Sequence, residues 1–147
     1  MLARLSSWRT LKSGVLFFWA AWFTLVVLAD VFDALKAGRV VPGWWTFVSG
    51  NWELMLKVTG VHATPVVVVA VLFLGAVLWE ALAAALFWRA WIARGRGGLA
   101  AFTVALALWA AFALADEIFV AHSLGAVHLR LFGVTLLSAL ALRLLPD

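Results

Sequence analysis

Apolar positions run along this chain in four long blocks separated by short polar breaks. The blocks lie at about residues 13–32, 64–91, 98–119 and 126–145. Each is long enough for a hydrocarbon core of about 30 Å, which roughly 20 helical residues span. The first is free of charge from Ser13 until Asp30, and the third from Gly98 until Asp116. The second holds Glu80 before it reaches Arg89. In the fourth, only Leu131 to Leu142 is uncharged, so Arg130 and Arg143 must snorkel from its two ends. The pattern predicts an all-α membrane protein, one domain over residues 1–147 with four transmembrane helices. The short links at 92–97 and 120–127 make the neighbours antiparallel in a bundle.

The connection at 34–63 is too polar to cross a bilayer and too aromatic to be a plain tether. Trp44, Val48, Trp52 and Met55 recur at helical spacing, which predicts a short amphipathic helix on the outer surface. Pro42-Gly43 would start it, Gly60 would end it, and Trp44, Trp45 and Trp52 would sit at headgroup level or at an interface.

Composition agrees with a bilayer as solvent. Of 147 residues, 67% are hydrophobic and 12% charged, against about 45–50% and about 25% in soluble domains. The net charge of +4 resides in Lys and Arg scattered between the apolar blocks, which speaks against nucleic acid as a partner. An N-in, C-in topology places Arg4, Arg9, Lys12, Arg89, Arg94, Arg96 and Arg143 in the cytoplasm. Lys36, Arg39, Lys57 and Arg130 are then outside, the asymmetry that membrane insertion favours. Eight Arg to three Lys, with abundant Ala and Leu, suits a GC-rich bacterium and its inner membrane. With no cysteine, thiolate metal sites and cysteine nucleophiles are excluded.

Polar groups at membrane depth are expensive and need an explanation. Glu80 lies about 22 Å along its helix from Pro65, at about 1.5 Å per residue. A carboxyl there is expected to be protonated, paired or in a wet cavity; interhelical glue, a proton or ion relay, and contact with a cofactor or partner are the readings. A second group gathers at the outer helix ends: Asp30, Asp33, Asp116, Glu117, His122 and His128. Carboxylate and imidazole together suit a transition metal, although His122 and His128 are six apart, which is no single-face spacing. The plainer expectation is that Arg130 pairs with Asp116 or Glu117. His62 and His128 are a candidate pair of axial ligands for haem b. No P-loop, dinucleotide fingerprint or nucleophile elbow occurs.

Glu80 in the second span, then Glu117-Ile118-Phe119, Ser123 and Arg130 across the third and fourth, resemble the pattern of a bacterial family of predicted small four-span integral membrane proteins of unknown function. The resemblance implies a fold and carries no activity. The leading functional expectation is therefore a non-catalytic accessory or scaffold subunit of a larger membrane complex, in contact with lipid and with other subunits. The alternatives are an outer metal site, a proton or ion path through Glu80, and a haem- or quinone-binding anchor of a redox enzyme.

Overall fold

The computed structural model describes residues 7–146. Arg4, counted above toward the cytoplasmic side, lies outside the described residues. The elements are α1 (Trp8–Ala37), α2 (Asn51–Thr59), one 3-10 turn at Gly60–His62, α3 (Val66–Ile92), α4 (Gly98–Ile118) and α5 (His122–Leu144). Four of these, α1, α3, α4 and α5, are long and apolar enough to cross a bilayer. The chain is a multi-pass membrane protein built as an antiparallel four-helix bundle.

Each boundary has a local cause. Ser7 accepts the Thr10 backbone N–H at 3.3 Å and so caps α1. Pro65 precedes the first residue of α3, where its missing N–H costs nothing. Between α3 and α4 the chain reverses through Arg94, Gly95 and Gly97, all with positive φ. Two of the three are glycines, which take that conformation without a Cβ penalty. The α4–α5 reversal uses Val120 at φ 57° instead.

Helix α1 packs on α3, α3 on α4 and α4 on α5, whereas α5 closes only weakly back onto α1. Lipid tails are as apolar as leucine, so close packing and interhelical hydrogen bonds must hold such a bundle together. Ala83, Ala84 and Ala90 of α3 and Ala101 and Ala105 of α4 are buried and let the backbones approach, while Ala85 and Ala107 face outward. Around them lies an aromatic core. Phe23 stacks on Phe87 at 5.8 Å and on Trp109 at 5.6 Å, and Phe102 meets Phe87 edge-on at 4.9 Å. The indole N–H groups are used across helices: Trp88 donates to Thr24 (2.9 Å), Trp91 to Ser13 (3.1 Å), Trp79 to the Val104 carbonyl (3.1 Å) and Trp109 to Thr135 (3.1 Å).

The two ends differ in charge. One end gathers the start of α1, the end of α3, the start of α4 and the end of α5. It carries Arg9, Lys12, Arg89, Arg94, Arg96 and Arg143 and, among the described residues, no Asp or Glu. The other end holds Asp33, Glu53, Asp116, Glu117 and the three histidines.

The connection between α1 and α3 departs from the expected surface helix. Its helix begins at Asn51, not after Pro42-Gly43, so Trp44 and Val48 lie off it. Residues 45–51 instead run back beside the last turns of α1. Lys36 Nζ donates to the Trp45 carbonyl (3.0 Å), Trp45 packs on Phe32 (5.1 Å), and Ser49 N–H donates to the Ala29 carbonyl (3.2 Å). Gly50, at φ 77°, then turns the chain, and α2 returns toward the end of the bundle with Trp52 against Phe73 of α3 (5.8 Å). Non-helical backbone of this kind is tolerated at depth only where protein covers it, and here α1 supplies part of that cover. Trp44 stays outside, 75% exposed.

Candidate functional site

The folded-back connection is anchored by two buried aspartates of α1. Asp33 Oδ2 accepts the Trp52 backbone N–H (2.8 Å) and the Ser49 hydroxyl (3.0 Å), so a side chain from another helix caps the N-terminus of α2. Ser49 Oγ in turn accepts the Asn51 N–H at 3.1 Å. One turn earlier, Asp30 Oδ1 accepts the Asn51 side-chain amide at 2.8 Å. Asp30 and Asp33 lie three residues apart and so share the helix face that meets the connection.

Asp30 has a second neighbour. Its carboxyl lies beside that of Glu80, which comes from α3. Glu80 belongs to the inward stripe of α3, with Val69, Phe73, Val77, Ala84 and Phe87. It is 4% exposed, and its Oε2 has no hydrogen-bond donor among the described residues. Thus the residue expected alone at membrane depth and one expected in an outer cluster form a single carboxyl pair. Asn51 links that pair to the connection.

No ion pair to a Lys, Arg or His is formed by either carboxyl among the described residues. Two like charges 4 Å apart repel by about 4 kcal/mol at an effective dielectric of about 20. That exceeds the roughly 1 kcal/mol a hydrogen bond contributes net. A contact between two carboxyl groups is thus favourable when they share a proton.

The rest of the expected outer cluster is assembled differently. Asp116 of α4 and His128 of α5 form a close pair, Oδ2 to Nδ1 at 2.6 Å, with the imidazole packed on Trp109 and Phe112. Glu117 and His122 approach at 3.5 Å on the exposed surface, where such a pair contributes little. The expected pairing of Arg130 with Asp116 or Glu117 is not formed; each acid faces a histidine instead. Among the described residues, no three or more His, Asp or Glu side chains stand close enough to hold a metal ion. His62 donates Nε2–H to the Ile118 carbonyl at 2.8 Å, helping to cap α4, whereas His128 is held by Asp116. The two candidate haem ligands thus have separate partners.

Sequence reasoning passed over Ser49 and Asn51. A signal was present, since Ser-Gly-Asn is a strong turn and capping sequence, but the tryptophan spacing around it drew the helix too early. No family model, no curated protein and no solved structure matches the chain.

Proposed function

We propose that this is a small bacterial inner-membrane protein, basic end in the cytoplasm, that takes up and releases a proton at the Asp30–Glu80 pair as a station on a path through the bundle. The observation that carries the reading is Glu80 itself: a buried carboxyl, one oxygen without a donor, facing a second carboxyl. An ionisable group inside a membrane is costly, and function is the default reason to keep one. Two carboxyls without a third ligand suit a proton better than a metal ion, which takes several. The basic end in the cytoplasm follows the distribution of Lys and Arg.

The test is proton flux in liposomes containing a pH-sensitive dye and poised with a potassium diffusion potential. The protein should carry protons. Glu80→Gln, which keeps size and hydrogen bonding but cannot ionise, should fall to the background of empty liposomes with helicity unchanged. Absence of flux in the unaltered protein, or full flux in Glu80→Gln, contradicts the proposal.

A second reading is favoured by the weak closure between α5 and α1. Only Gly125, Thr135 and Ala139 of α5 are buried, and a shallow seam bordered by Leu11, Gly14, Phe18 and Ser138 runs along that side. This supports a subunit that packs against another membrane protein. Gentle extraction followed by mass spectrometry should then recover a stoichiometric partner; a lone chain under those conditions contradicts it.

A further inference from the structure

We infer that the basic end holds a site for one anionic phospholipid, in the groove between the first turns of α1 and the last turn of α3. The groove is lined by Arg9, Thr10, Ser13, Gly14, Phe17 and Trp91. Its chemistry is graded. Arg9 stands exposed at the start of α1, and Ser13 Oγ accepts the Trp91 indole N–H at 3.1 Å, leaving its own O–H as a donor. Four residues further along α1, Phe17 packs on Trp91 (5.5 Å) and edge-on to Trp88 (5.8 Å) while remaining 46% exposed. A guanidinium and a hydroxyl at the rim suit phosphate oxygens, and the aromatic wall below suits an acyl chain.

Three observations select this occupant. The end of the bundle carries six cationic side chains and no acidic one among the described residues, so an anion is favoured over a zwitterion. The aromatic wall continues along the membrane-spanning helices, which fits a molecule with a tail and not a free phosphate ion. Gly14 leaves the groove open, because a Cβ built there meets nothing within 4 Å.

The experiment is native mass spectrometry of the full chain after delipidation and incubation with phosphatidylglycerol or phosphatidylcholine. The expected result is one retained phosphatidylglycerol in preference to phosphatidylcholine. That retention should be lost in Arg9→Gln and in Gly14→Leu, which fills the groove without removing charge, and kept in Arg94→Gln, on the same end outside the groove. Equal retention of both lipids overturns the site. So does equal loss in Arg94→Gln and Arg9→Gln, which means a diffuse basic surface. Displacement of the lipid by inorganic phosphate alone also overturns it, since the tail then contributes nothing. Circular dichroism separates a misfolded variant from a lipid-free one, and Arg9→Lys, which keeps the charge, should retain part of the binding.

Discussion

Asp30 on α1 and Glu80 on α3 meet carboxyl to carboxyl, and the Asn51 amide reaches the Asp30 side of the pair at 2.8 Å. Three elements therefore share one polar junction: a span, the neighbouring span, and a connection that folds back along the first. The connection touches the pair through that amide. The nearby Asp33 holds the same connection through backbone and hydroxyl bonds that need no proton exchange. On the proposed reading, anchoring and proton handling are divided between two aspartates one turn apart.

That division predicts the behaviour of Asp33→Ala. The Trp52 N–H and the Ser49 hydroxyl lose their acceptor, at a cost of about 1–2 kcal/mol for an uncapped helix start. Hydrogen–deuterium exchange should rise over residues 49–54 and remain unchanged in α4 and α5. Unaltered exchange in 49–54 would show that α2 is held by other contacts.

Thr135→Val should destabilise the α4–α5 pair. Thr135 is fully buried and accepts the Trp109 indole N–H while donating to the Leu131 carbonyl at 2.6 Å. Valine preserves the shape and orphans the indole. Interhelical hydrogen bonds in membranes average about 0.6 kcal/mol and reach about 1.7, so a loss of stability of that order, read as a lower melting temperature, is expected. In a double-mutant cycle with Trp109→Phe, the two effects should be strongly non-additive.

Val120→Gly should stabilise the protein. Val120 sits at φ 57° in the reversal between α4 and α5 and is 58% exposed. A β-branched residue there carries strain of about 1–3 kcal/mol. Glycine removes it against an entropic cost of roughly 0.5–1 kcal/mol. A modest rise in thermal midpoint in detergent is the expected outcome, with no change in flux.

The spans were legible because a bilayer leaves the backbone no alternative to helix, so long uncharged blocks translate directly into α1, α3, α4 and α5. Polar additions at the ends extended them, as at Trp8–Ala37, where the uncharged block alone stops at Asp30. The register of α1 on α3 was not legible. A long connection joins them, and nothing local places Asp30 opposite Glu80. Across the short α4–α5 link, by contrast, Asp116 and His128 are near the same end by necessity, and the pairing could have been argued from link length. The tryptophan stripe misled because helical spacing alone cannot detect a cap supplied by another helix: Asp33 and Gly50 start α2 at Asn51, Trp44 is left in a turn and Val48 on irregular backbone.

The most direct measurement is infrared difference spectroscopy of the reconstituted protein in the C=O stretching region of protonated carboxylic acids. At neutral pH the unaltered protein should show a protonated-carboxyl band that shifts in heavy water and is missing from Glu80→Gln. A spectrum with no such band, or one identical in the two proteins, would mean that the Asp30–Glu80 pair holds no exchangeable proton.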